Sequence, residues 1–167
     1  MSVATFRVEH LDNAYDRTMF DCGSEPLDRY FHQQVTQETK RRVTACFVAL
    51  TNEQIIVGYY TIAATSVPLT GLPAAIAKKL PRYPLVPAVR VGWLAVDQKY
   101  KGQGLGGALL ADALHRSVVS DIAAYAMLVD AKNNEAADFY RHHGFIALPD
   151  SPLSLFLPLA VASKLTP

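Results

Sequence analysis

Cysteine is scarce in this chain. Its 167 residues hold two, Cys22 and Cys46, without CxxC spacing and without a histidine at ligand spacing. That excludes a disulfide framework and gives a metal site no support, so buried free thiols and no metal are expected. Net charge is nearly absent too. Sixteen Lys and Arg face fifteen Asp and Glu, a formal +1, so bulk charge offers no argument for nucleic-acid binding. No apolar run approaches a membrane span, and the opening MSVATFRVEHL has no charged leader followed by an apolar core. A soluble, cytoplasmic protein with no membrane partner is expected. Repeats and dividing linkers are also missing, and half of the residues are apolar, so a single domain over residues 1–167 is expected.

Periodicity is present where bias is not. Ala4 to Val8 can form a strand. SEPLDRYFHQQVTQET spaces Leu27, Tyr30, Phe31 and Val35 along one helix face, with Ser24 as N-cap and Pro26 in the first turn. VTACFVAL and IIVGYYTIAATSV, separated by TNEQ, read as an antiparallel hairpin. Five prolines between Pro68 and Pro87 surround AAIAKK, which predicts a short helix in a long loop. AVRVGWLAVD reads as a central strand apolar on both faces. GALLADALHRSV places Leu109, Leu110, Ala113, Leu114 and Val118 on one helical stripe. YAMLVDA is a second buried strand, and NEAADFYRHH aligns Ala136, Phe139, Tyr140 and His143 before Gly144 stops the helix. FIAL and LSLFLPLA are closing strands. A strand-helix-strand unit late in an otherwise antiparallel sheet predicts an α/β (α+β) layer fold.

Between the central strand and its helix lies DQKYKGQGLGGALLADAL, with Gly102, Gly104, Gly106 and Gly107 in six residues. The spacing fits GxGxxG, the dinucleotide fingerprint. But Gln98 to Lys101 separate the strand from Gly102, and only sixty residues follow Gly107, too few for a dinucleotide domain. A P-loop is excluded because Gly107 and Ala108 stand where Lys and Ser or Thr are required. What survives is a nest of glycine amides facing the positive end of a helix dipole, suited to a pyrophosphate, with Lys99 and Lys101 at its rim. Close packing of helix on strand is the competing use of these glycines.

VDQKYKGQGLGGALL resembles the acetyl-CoA signature of the GNAT family of N-acetyltransferases. NNEAADFYRHHGF is similar to a later helix of that family, with Asn133, Ala136 and Tyr140 at the family's spacing. The resemblance implies the GNAT fold: a central mixed, mostly antiparallel, twisted sheet of six to seven strands with about four helices. It implies acetyl-CoA as co-substrate, held by Leu94, Ala95, Val96, Lys101, Gly102, Gln103, Gly104, Leu105, Gly106, Gly107, Asn133 and Ala136. Lys101 stands where the family usually has Gln or Arg. The resemblance also implies a free amine attacking the thioester, with Tyr140 as the acid that protonates the departing thiolate.

FDCGSEPLDRYF, VGYYTIAATSV, LPRYPLVPAVRVGWLAVD and LVDAKNNEAADFY narrow the resemblance to the acetyltransferase toxins of bacterial toxin–antitoxin pairs. It implies acetylation of the α-amine of aminoacyl-tRNA, a halt in translation, a ribbon-helix-helix antitoxin and a homodimer. Those toxins often carry Arg where this chain has Trp93. The residues themselves add one argument. AVRVGWLAV offers no Asp, Glu or His until Asp97, so the acceptor should lose its proton easily. An α-amine of pKa about 7.8 is about a quarter neutral at about pH 7.4, whereas a lysine amine is about a thousandth neutral. An acetyltransferase for a small-molecule amine or a protein N-terminus, and a silent coenzyme-binding module, are the alternatives. The stretch between Val67 and Val96 has no Asp or Glu, which disfavours polyamines.

An RNA acceptor needs cations, and Lys78, Lys79, Arg82 and Arg90 are the candidates. Acetylation of transfer RNA should therefore weaken as salt rises, through counterion release. An initial rate unchanged between low and high salt would contradict a phosphate-guided site.

Overall fold

The computed structural model describes residues 6–164. Seven strands form one mixed sheet in the order β1-β2-β3-β4-β5-β7-β6. They are β1 (Arg7–His10), β2 (Ala45–Leu50), β3 (Ile56–Pro68), β4 (Leu85–Val96), β5 (Ala126–Asp130), β6 (Ile146–Leu148) and β7 (Ser151–Pro158). The pairs β1–β2, β2–β3, β5–β7 and β6–β7 are antiparallel, and β4–β5 is parallel. A parallel pair needs a crossover connection, and helix α4 (Leu105–Val118) lies on it. The expected strand at Ala4 begins instead at Arg7; Ala4 and Thr5 lie outside the described residues. Among the described residues no helix is long and apolar enough to cross a membrane.

The chain divides into two compact units, the first running to Ala63 and resuming over Gly92–Ala113. Here the predicted N-terminal helix is three pieces: α1 (Glu25–Arg29), a π turn (Tyr30–Gln34) and α2 (Val35–Lys40). Ser24 occupies the N-cap with extended backbone, but its hydroxyl makes no capping bond. Instead Asp28 folds back, its carboxylate accepting from the Cys22 amide at 2.9 Å. The π turn is closed by the Val35 amide donating to the Tyr30 carbonyl. Widening the turn by one residue keeps Tyr30, Phe31 and Val35 all inward, each nearly or wholly buried. Arg17 donates to the Phe31 carbonyl at 2.9 Å.

Phe31 lies flat on Tyr59 of β3, ring centroids 4.2 Å apart, and Phe20 packs edge-on against both. The Tyr59 hydroxyl donates to the Leu27 carbonyl at 2.7 Å, tying α1 to β3. Burial of side chains of this size contributes about 1.5–3 kcal/mol each. The hairpin between β2 and β3 turns on Thr51, whose hydroxyl accepts from the Glu53 and Ile55 amides, with Gln54 left-handed at φ 67°. Cys22 and Cys46 are free and buried, and burial pushes their thiols up to about 11 and about 12.

The second unit comprises Ala64–Val91 and the chain from Leu114 onward. Its core gathers Val67, Leu72, Val86, Ala126 and Phe156. The proline-rich connection holds a short helix, α3 (Ala74–Ala77), as its composition predicts. α5 (Asn134–His142) precedes β6, and α6 (Leu159–Ala162) follows β7. Gly144, at φ 94°, ends α5 in the left-handed conformation that glycine adopts without strain.

β4 differs from the expectation of two buried faces. Val86, Ala88, Val91 and Ala95 are buried, whereas Leu85, Pro87, Arg90 and Gly92 are exposed. By the period-2 pleat Val86 and Ala88 lie on one face and Val91 and Ala95 on the other, so each face is buried along only part of the strand. It is nonetheless the fourth strand of seven, central as predicted.

Gly58 is closely packed in the first unit. A Cβ there would lie 2.9 Å from Leu109 Cδ1 and 3.1 Å from the Ala95 carbonyl, which belongs to backbone. Gly58→Ala should cost about 1–3 kcal/mol of unfolding free energy in urea titration. Gly71→Ala, with nothing nearer than 3.8 Å, serves as the tolerated control.

Candidate active site

In the first unit β4 delivers the chain to the glycine loop through a buried carboxylate. The Asp97 amide donates to Val57 O at 2.9 Å, as the last tie to the sheet. Its side chain then accepts from two amides, Asp21 at 3.1 Å and Lys99 at 3.0 Å, and so caps the 3-10 turn Gln98–Tyr100. Gln98 completes the lacing: its amide donates to Asp21 O and its side chain to Asp21 Oδ1. Asp21 Oδ1 also accepts from Gly23, and these contacts hold its carboxyl below the usual range, the Gly23 amide first. Asp97, the first acid after the central strand, therefore serves as a backbone anchor.

The turn exits into Gly102 and Gly104, at φ 82° and φ 78°. Nothing lies within 4 Å of a Cβ built on either, so the loop is open outward while its dihedrals demand glycine. The Ala108 amide donates to Gly104 O, the first bond of α4. Gly106 and Gly107 occupy that helix's first turn, where amides have no intrahelical partner. Leu105 is buried and Gln103 exposed. This cradle of glycine amides at the positive end of a fourteen-residue helix can receive a pyrophosphate. Lys101, predicted to contact coenzyme, donates from Nζ to the Cys22 carbonyl at 2.9 Å. Before the turn, Ala95 is buried, and Leu94 and Val96 are half-buried.

Tyr140 belongs to the second unit. It is buried on α5, edge-on to Phe139 at 5.1 Å and Phe145 at 5.6 Å, and burial pushes its phenol up to about 12. Asn133 and Ala136 start this helix together, Asn133 Oδ1 accepting from the Ala136 amide at 2.9 Å. His143 is held below its usual range by burial and by neighbouring His142. Lys78, Lys79 and Arg82 are exposed along the connection before β4. Arg90 is placed differently. It forms an ion pair with Asp130 on the neighbouring strand, and Asp130 also accepts from Ser154 at 2.7 Å. Part of its charge is thus already met within the sheet.

Sequence reasoning missed Asp21, Gln98 and the Tyr30–Trp93 stack. The available signal was DCG, an Asp two residues before a left-handed Gly, which is an Asx turn. Among the described residues no group of three or more His, Cys, Asp or Glu could hold a metal ion.

Residues 42–147 match the acetyltransferase (GNAT) domain model. The chain is 30% identical to a probable toxin TacT of Sinorhizobium fredii, across 95% of this chain and 93% of that protein. It is 34% identical to a tRNA-acetylating toxin of Mycobacterium tuberculosis, across 93% of each. A solved structure of AtaT complexed with acetyl-methionyl-tRNAfMet superposes with TM-score 0.89 at 30% identity, covering 96% of this chain and 99% of that one. A mutant AtaT bound to the C-terminus of the antitoxin AtaR and acetyl-CoA gives 0.81 at 25% identity, covering 96% and 97%.

Asp97→Ala leaves two amides without their acceptor and should lower unfolding free energy by about 1–3 kcal/mol. Urea denaturation measures this. A variant as stable as the parent would show that the carboxylate does not hold the turn.

Proposed function

The chain belongs to the acetyltransferase (GNAT) domain family, and from that membership we propose that it is an acetyl-CoA-dependent toxin that acetylates the α-amine of aminoacyl-tRNA and so blocks translation. The observation that carries the coenzyme half is the open loop with left-handed Gly102 and Gly104 at the head of α4. The acceptor half rests on relatives and neighbours that share nearly the whole chain, one a tRNA-acetylating toxin and one complexed with acetyl-methionyl-tRNAfMet. A ribbon-helix-helix antitoxin in this cytoplasmic system neutralises the enzyme, and the enzyme acts as a homodimer. Residues 1–167 serve as a single acetyltransferase domain.

Acetyl-CoA supplies an activated thioester. The Leu94–Val96 backbone, Lys101 and the amides from Gly102 to Gly107 are assigned to hold it, with Asn133 and Ala136. Tyr140 is assigned the proton. A phenol raised to about 12 remains an O–H donor at every working pH and gives its proton where sulfur gains negative charge. A neutral amine that becomes an amide gives up one proton, which replaces the one Tyr140 passes to sulfur; an ammonium would first have to lose another, and β4 carries no side chain to take it before the anchored Asp97. The amine must therefore arrive neutral, which suits an α-amine of pKa about 7.8.

Purified protein, labelled acetyl-CoA and total transfer RNA test this, with charged and deacylated RNA compared. Label is expected in charged RNA only; label in both, or in neither, would overturn the proposal. Tyr140→Phe should lower kcat by about 10²–10⁴-fold with coenzyme binding retained. The rate should rise with pH through about 7.8 as the amine deprotonates. Tyr140 should impose no alkaline decline below about pH 11, since its raised pKa keeps it protonated until then.

A further inference from the structure

Trp93 immediately precedes the Leu94–Val96 stretch assigned to the coenzyme. Its indole lies nearly parallel to the Tyr30 ring, centroids 4.5 Å apart and planes 16° apart. Tyr30 is itself buried in the π turn and fixed by its hydroxyl, which donates to Glu38 at 2.9 Å. The Trp93 amide donates to the buried Thr61 hydroxyl at 3.0 Å. A Cβ on the preceding Gly92 would lie 2.9 Å from that same hydroxyl oxygen, so the strand is held close to Thr61. The indole is thus braced on one face and along its backbone, yet only half-buried. Leu11, Tyr15 and Leu27 pack on the same cluster and are also half-buried.

We infer that Trp93 determines which acceptor is used, by offering its indole as a shelf for an apolar or aromatic amino-acid side chain on the transfer RNA. This rests on the function proposed above. The acceptor amine must come within bonding distance of a thioester held along Leu94–Val96, so the side chain just before that stretch is placed to meet the acceptor. The surface there is flat and aromatic, and the Glu9 carboxylate near it is engaged, accepting from the Tyr15 hydroxyl and pairing with Arg7. Glu38 is engaged by the Tyr30 hydroxyl, and Arg17, which lies over the neighbouring Phe31 ring, donates to the Phe31 carbonyl. An apolar side chain laid on the indole loses hydrated surface and gains stacking contacts, whereas a charged one loses hydration with no partner supplied.

The experiment compares kcat/KM across transfer RNAs charged with apolar, aromatic, acidic and basic amino acids, for the parent, Trp93→Ala, Trp93→Arg and Trp93→Phe. The parent should favour apolar and aromatic acceptors over charged ones. Trp93→Ala and Trp93→Arg should shrink that ratio by about tenfold, and Trp93→Phe should keep most of it. Thermal unfolding identifies a variant that has lost its fold, in which case Trp93→Phe against the parent carries the comparison. An equal loss for every charged RNA, a ratio unchanged by Trp93→Ala, or a parent preference for charged side chains would overturn the inference alone. A parent enzyme that acetylates no charged RNA would overturn the proposed function and this inference with it.

Discussion

Two backbone amides converging on one buried carboxylate organise the coenzyme end of the first unit. Asp97 stands where β4 leaves the sheet, and its buried side chain is the acceptor that the amides of Asp21 and Lys99 share. Because one of those amides is 76 residues away in sequence, the same carboxylate fixes the turn that launches the glycine loop and the segment that leads into α1. Gln98 and Lys101 add two further ties to that segment, at Asp21 and Cys22. The loop can then be open and glycine-rich because its rigidity is supplied from behind.

A second constraint runs through the aromatic residues. The π turn keeps Tyr30, Phe31 and Val35 facing inward, and the resulting stack runs from Phe20 through Phe31 to Tyr59, with Tyr30 set flat against Trp93. A regular α-helix rotates 100° per residue, so Tyr30 and Val35 would drift apart on its surface; a five-residue turn returns them to one line. The extra residue therefore serves packing and also fixes the plane on which Trp93 rests.

Local signals were legible in the sequence, and long-range ones were not. The hairpin, the helix after the glycines, the short helix among prolines and the Gly144 stop each follow from spacing within about ten residues. The resemblance carried by Asn133, Ala136 and Tyr140 pointed to one helix, and Asn133 is its N-cap with the other two inside it. The π turn was invisible because Leu27, Tyr30, Phe31 and Val35 fit an ordinary helix stripe equally well. Asp97 read as a lone acid because its partner amide belongs to a distant segment. Arg90 read as a free cation because Asp130, forty positions on, becomes its neighbour only when β4 and β5 pair.

Cys22 and Cys46 carry a practical consequence. Both lie in the first unit, both are buried, and both thiols are held well above neutral pH in their protonated form. The second unit has no cysteine at all. Thiol-directed reagents in the native protein therefore react only through opening events, and only those of the first unit. The molecule comes with a built-in, one-sided clock for its own breathing, readable by mass spectrometry without introducing a label.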